Sequence, residues 1–134
     1  MIDIENELFT GIATALRSEF EGIFVAGEYV PKPPRFPAVS IVEMDNAVLQ
    51  SAVDSGAIEN YATLTYQVDV YSNNAVAKKA ECKKIAAFID AQFAQYGFTR
   101  TFLNPVQNMN DATIYRMTGR YRGVVSQEHL VYGR

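Results

Sequence analysis

The segment Thr113-Ile-Tyr-Arg-Met-Thr-Gly-Arg-Tyr-Arg-Gly-Val-Val125 constrains the fold more than any other stretch of the chain. At period two, Arg116, Arg120 and Arg122 fall on one side with Ile114, Thr118 and Val124. Tyr115, Met117, Tyr121 and Val125 fall on the other with Gly119 and Gly123. Such a strand belongs in a sheet with one packed face and one polar, charged face. The two glycines inside it are expected to admit a bulky neighbour or a bend. A second run, Tyr61–Tyr71, alternates even more regularly. Ala62, Leu64, Tyr66, Val68 and Val70 are expected on the core side, and Thr63, Thr65, Gln67 and Asp69 outside.

Two stretches carry helical rather than strand periodicity. From about Asp3 to Phe20, the residues Phe9, Ile12, Ala13, Leu16 and Phe20 gather into one apolar stripe, with Asp3 as cap and Gly22 as the left-handed stop. From about Ala75 to Tyr96, Cys82, Ile85, Ala86, Ile89, Phe93 and Tyr96 form a stripe flanked by Phe88. Asn73 or Asn74 stands at the start of this helix and Gly97 at its end. Its reverse face carries Ala80, Lys83, Lys84, Ala87, Asp90, Ala91 and Ala94, small where a solvated helix is usually charged. Helix propensity alone accounts for alanine there. A neighbouring subunit lying close against the face accounts for it equally well.

Further strands are expected at Ile23–Val30, Ala38–Asp45 and Phe98–Val106, with a turn near Asn108-Met-Asn-Asp111 and a tail from Ser126 to Arg134. Pro31, Pro33, Pro34 and Pro37 rule out a regular ladder between the first two strands. The stretch at about 46–60 is long for a hairpin in a small domain and holds apolar Val48, Leu49 and Val53, so it is expected to protrude as an arm that contacts another chain, ahead of the other reading, a slightly extended hairpin with its tips in solvent. The sum is an α+β fold: a mostly antiparallel or mixed sheet of about four to five strands with two helices packed on one face. One domain over residues 1–134 is enough to bury a core, and no internal repeat, low-complexity tract or linker interrupts it.

Composition removes several functions. The net charge of -3 argues against generic binding to a nucleic-acid backbone, although the arginine row is a local exception. A single cysteine, Cys82, makes no internal disulfide and is expected as a small core hydrophobe. The opening Met1-Ile-Asp-Ile-Glu-Asn-Glu is acidic and then helical, so no signal segment is read there, no apolar run spans a bilayer, and synthesis in the cytosol is expected. One cysteine and one histidine cannot form a structural zinc site. His129 sits in a polar tail where nothing is expected to orient it as a catalytic base. Glu43 and Asp45 are expected on one face of their strand, with Glu59 possible nearby, but paired acids on an exposed sheet need a pocket before they mean chemistry. No phosphate-cradling glycine loop is present. No catalytic residue, cofactor or metal is expected, and the arginine row reads as a pairing surface ahead of a nucleic-acid surface.

Read end to end, an N-terminal helix is followed by Pro34-Arg-Phe-Pro-Ala-Val-Ser-Ile-Val-Glu-Met-Asp-Asn46 and a variable arm. Then come Glu59-Asn-Tyr-Ala62 with Tyr66-Gln-Val-Asp-Val-Tyr-Ser72, a helix, Gly97-Phe98 and the closing Ile114–Val125. This order resembles the tail terminator (tail completion, or minor capsid) proteins of long-tailed bacteriophages and prophages. The resemblance covers nearly the whole chain through structural rather than catalytic motifs. It implies a non-enzymatic virion protein, made in the host cytoplasm and placed at the head-proximal end of the tail. There it would form a homo-oligomeric ring, a hexamer, that caps the tail tube, ends its polymerisation and meets a head-tail connector or stopper protein. Genomic DNA would pass through the lumen without specific binding, and no membrane is involved. Val48, Leu49, Val53, Ala87, Ala91, Ala94, Arg116, Arg120 and Arg122 are the candidate contact residues. The alternatives are a connector or stopper protein, a nucleic-acid-binding module using the arginine strand, and a small-ligand enzyme with an acidic pocket.

Overall fold

The computed structural model describes residues 1–49, 60–107 and 111–132. Among them the chain runs α1 (Glu5–Glu19), β1 (Phe24–Ala26), β2 (Ala38–Val48), β3 (Tyr61–Ser72), α2 (Lys78–Gln95), β4 (Thr99–Val106), β5 (Tyr115–Ser126) and β6 (Val131–Tyr132). The sheet order is β1-β2-β3-β5-β4, and β6 pairs with β5 off this path. β1 lies parallel to β2, whereas the other pairings are antiparallel, so the protein is an α+β fold on a mixed sheet.

Alternation places β3 and β5 at the centre. Across their ladder Ala62 faces Val125, Tyr66 faces Tyr121 and Val70 faces Met117, all buried on the side that the helices cover. Gly123 stands opposite Leu64 in that row, and a β-carbon there would meet the Phe98 ring at 2.9 Å. Its missing side chain therefore makes room for a core aromatic. Leu8, Ile12 and Leu16 of α1 and Cys82, Ile85, Ile89 and Phe93 of α2 close the same core. The helices also touch each other, with the Phe20 and Phe88 rings edge to face at 5.5 Å. Beneath α2, Phe93 stacks on Tyr121 at 4.2 Å, and Tyr66 and Phe98 pack around them.

Local signals set the helix ends. Gly22 and Gly97 have φ of 78° and 88°, the left-handed conformation that stops a helix at low steric cost. Asp3 Oδ1 accepts the Glu5 N–H, and Asn74 Oδ1 accepts the N–H groups of Val76 and Ala77, so both residues organise the approach to a helix that begins slightly later than the sequence suggests. On α1 the fully buried stripe is Leu8, Ile12, Ala13 and Leu16, while Phe9 and Phe20 only flank it. Tyr96, expected in the α2 stripe, is an exposed residue.

Several boundaries differ from the sequence reading for identifiable reasons. The strand expected at Ile23–Val30 is short, because only Phe24–Ala26 finds partners, at Ala38–Ser40. β2 continues to Val48 because its ladder with β3 reaches Ala62, so the base of the expected arm is regular strand. The expected tail turns back instead: Leu130 N–H bonds to Ser126 Oγ, and Val131–Tyr132 pair with Val124–Val125. Val53, Glu59 and the turn residues 108–110 lie outside the described residues.

Candidate subunit interface

The face of the sheet opposite the helices holds the arginine row, and its two ends differ in kind. At the end nearest β1, Asp69 of β3 is 2% exposed although its parity puts it on the polar side. This corrects the expectation of an outward, solvated Asp69. The Arg116 guanidinium lies against it, and the segment between β1 and β2 brings Tyr29 over that guanidinium at 5.9 Å while Tyr71 lies 5.6 Å from it. Arg116 donates to Asp69 Oδ1 from Nε at 2.9 Å and makes a 2.8 Å ion pair from its terminal nitrogen. The Thr118 hydroxyl donates to the same oxygen, and Gln67 Nε2 donates to Oδ2 at 3.2 Å. Burial pushes the Tyr71 phenol up to about 12, with the Asp69 carboxylate adding to it. Ser40 Oγ and the Tyr71 hydroxyl are buried here without a hydrogen-bond partner among the described residues.

Further along the row the arginines turn outward. Arg120 Nε donates to Gln67 Oε1 at 3.0 Å, and its guanidinium lies 5.2 Å from the centre of the Phe102 ring. Its residue is exposed, as is Arg122, and among the described residues no carboxylate pairs with either. The row is therefore two units: Arg116 anchors the domain internally, and Arg120 with Arg122 presents charge to the outside. Beside them β4 forms the edge of the sheet and is exposed along most of its length, with Pro105 in the strand as an edge permits.

The other candidate contact residues lie elsewhere. Ala87 and Ala91 are exposed on the outer face of α2 and Ala94 is half-buried, whereas Asp90 on that side bonds to Arg100 and accepts from the Tyr121 hydroxyl, each at 3.1 Å. Val48 is 40% exposed at the end of β2, and Leu49, half-buried, donates its N–H to Tyr61 O. The described members of the set thus occupy three separate patches. Cys82 donates weakly to the carbonyls of Val70 and Tyr115 and is fully buried, and burial pushes its thiol up to about 12. It behaves as the core hydrophobe expected of it.

Two expectations about acids and histidine need correction. Glu43 and Asp45 do not share a face. A register shift between them pairs Glu43 with Tyr66 on the helix side and Asp45 with Thr65 on the open side. A bulge of this kind inserts one residue and reverses the parity beyond it. Glu43 Oε1 accepts the Tyr66 hydroxyl at 2.9 Å, and Asp3, Glu5 and Asp45 lie close enough to act on it. His129 is not unsupported: its Nδ1 lies 2.9 Å from Glu7 Oε1, and its φ of 62° marks the turn into β6.

The Glu43 carboxyl is held above its ordinary value first by burial, and further by Glu5, Asp3 and Asp45, against the lowering effect of the Tyr66 bond. A carboxyl raised by folding binds its proton more tightly in the folded state. Stability is therefore lost as pH climbs from the ordinary value of 4.5 through the raised one. Glu43→Gln keeps an acceptor for Tyr66 and removes that loss. It should raise the melting temperature at neutral pH, with the gain vanishing in acid. Equal melting of the two proteins at pH 7 counts against this account of the site.

A groove of about 630 Å³ lies between α1 and the β1–β2 region, lined by Glu5, Asn6, Phe9, Gly27, Glu28 and Ile41 among others. Glu43 does not line it. Among the described residues no group of three His, Cys, Asp or Glu side chains is placed to hold a metal ion. No helix among them is long and apolar enough to cross a membrane. No protein-family model matches the sequence, and no curated protein matches it.

Proposed function

We propose that this chain is a structural ring subunit of a phage tail, which caps the tail tube, ends its polymerisation and offers the surface on which the head connector joins. The observation that carries the reading is the asymmetry of the sheet. Both helices cover one face, while the other carries outward Arg120 and Arg122 beside the exposed edge strand β4. A subunit joined to copies of itself needs an unspent face and an unspent edge. The sequence likeness to tail terminators runs through the strands that form this face, β2, β3 and β5. On this reading the protein works by contact and without a catalytic centre. Its partners are its own copies, the tail tube protein and a connector or stopper protein, and DNA passes through the lumen.

The test separates contact from folding. Arg120→Glu replaces an outward charge whose loss leaves the core intact, so the melting curve should stay within about 0.5 kcal/mol of the parent. Assembly should nevertheless weaken, because an attractive contact becomes a repulsive one. Tails completed with this variant should be uncapped and overlong. Normal melting together with tails of normal length would make the arginines an ordinary solvated surface.

A further inference from the structure

The first turns of α2 carry a cationic patch that the rest of the domain leaves unpaired. Lys79 and Lys83 stand about one turn apart on the exposed side of the helix, with Lys78 before them and Lys84 after. Lys78, Lys79 and Lys83 line an open hollow of about 560 Å³ together with Ala75, Val76 and Ala77, and Val76 is 96% exposed. Positive charge near a helix N-terminus opposes the macrodipole, and like charges four positions apart repel. Nearby acids are engaged elsewhere. Glu81 accepts the Ser72 hydroxyl at 2.6 Å, and Asp111, which feels the charge of Lys78, accepts from the Thr113 N–H at 2.9 Å. None of the four lysines is in an ion pair among the described residues. A patch that sets unpaired lysines beside an exposed valine is suited to a segment that is both acidic and apolar.

Resting on the ring reading, we infer that this lysine patch docks residues 50–59 of a second copy of this chain, the segment between β2 and β3 that lies outside the described residues. Charge and composition select this occupant. The segment holds Asp54 and Glu59 without a lysine or arginine, and Ala52, Val53, Ala57 and Ile58 supply apolar contact for Val76. Position then requires the second copy. The segment leaves the sheet where Leu49 donates its N–H to Tyr61 O and Val48 pairs with Ala62. The patch belongs to the opposite end, because Cys82, next to Lys83, donates to the carbonyls of Val70 and Tyr115, and the Ser72 hydroxyl at the close of β3 donates to Glu81. From Ala62 to Val70 the strand covers about 27 Å at the usual antiparallel rise. Ten residues running out and back reach at most about 17 Å. No copy can therefore fill its own patch. Each copy carries the segment at one end of β3 and its counter-surface at the other, so the contact repeats in one direction, which is the heterologous geometry that closes into a ring.

The experiment is a charge-reversal cycle on the full chain: a patch variant (Lys79→Glu with Lys83→Glu), an arm variant (Asp54→Lys with Glu59→Lys), and the two combined. Self-association is followed by sedimentation velocity, alone and with tail tube protein, and melting curves report the fold. The patch variant should melt no lower than the wild type, since acids replace lysines near a helix N-terminus. Lys79→Ala with Lys83→Ala stands in for it should its melting fall. Wild-type association should weaken as salt rises. Each reversal should weaken association about tenfold or more, and the combination should recover most of the loss. Reversals that weaken association without recovery in the combination would overturn residues 50–59 as the occupant and leave the ring reading in place. Rings that ignore all the substitutions would do the same. A patch variant that self-associates normally but no longer binds tail tube protein also overturns the inference, the tube protein then being the occupant. A wild type that stays monomeric in both conditions overturns the ring reading and this inference with it.

Discussion

Phe93→Ala is expected to cost about 3 to 5 kcal/mol, the usual range for deleting a buried aromatic ring. Phe93 is 0% exposed, and it is the point where α2 meets the sheet. Its ring lies nearly parallel to Tyr121 at 4.2 Å, with Tyr66 and Phe98 within about 6 Å, so alanine would remove the ring stacked on Tyr121 and a neighbour of Tyr66 and Phe98, which keep only each other. The surrounding rings cannot collapse freely into the space. Tyr121 is tied to Asp90 and Tyr66 to Glu43 through their hydroxyls. A domain with about 5 to 15 kcal/mol of total stability loses a large fraction of it in this one change. Urea denaturation followed by circular dichroism would show the midpoint fall sharply with little change in slope. A loss under about 1 kcal/mol would mean that the aromatic cluster is not the centre of the core.

Arg116→Ala is the second large effect, and it arises from charge rather than volume. Removing the guanidinium leaves the Asp69 carboxylate, 2% exposed, with only Thr118 and Gln67 as donors among the described residues. Breaking a buried pair from one side costs about 3 to 5 kcal/mol, because the remaining charge stays desolvated without its counterion. The same change removes the cation between Tyr29 and Tyr71, so the β1–β2 segment should loosen over this end of the sheet. Arg116→Lys should recover only part of the loss, since two guanidinium nitrogens converge on one Asp69 oxygen where lysine brings a single ammonium. Denaturation midpoints and hydrogen exchange at residues 27–37 read both consequences. The comparison with Arg120→Glu is the informative one. Two arginines on one side of one strand should behave oppositely, one destabilising the monomer and the other sparing it.

The parts of the fold that were legible in the sequence are those set by local periodicity and backbone preference. The alternation from Ala62 to Val70, the helical stripe from Cys82 to Phe93, and the glycines that end both helices all have causes within a few residues. Contacts between distant segments were less legible. A bulge near Met44 decides which side Asp45 takes, and a pattern of alternating residues does not reveal where one extra residue enters a ladder. His129 finds Glu7 across 122 positions of chain. Asp69 is buried beneath Arg116, over which Tyr29 of the segment between β1 and β2 comes to lie, a fact invisible from its own strand. One signal was available: Tyr71 follows Asp69 on the nominally polar row, and an aromatic there marks a face that something covers. The arginine row was recognised as a unit from its period, but its division into an internal anchor and an outward pair depends on where Asp69 and Tyr29 come to lie.

Native mass spectrometry of the purified protein, alone and after incubation with tail tube protein, tests the ring assignment most directly. A closed ring predicts one dominant oligomer, a hexamer, in at least one of the two conditions, with larger open chains absent. A protein that remains a monomer or a dimer in both, or complete tails that carry only one or two copies of it, would contradict the assignment.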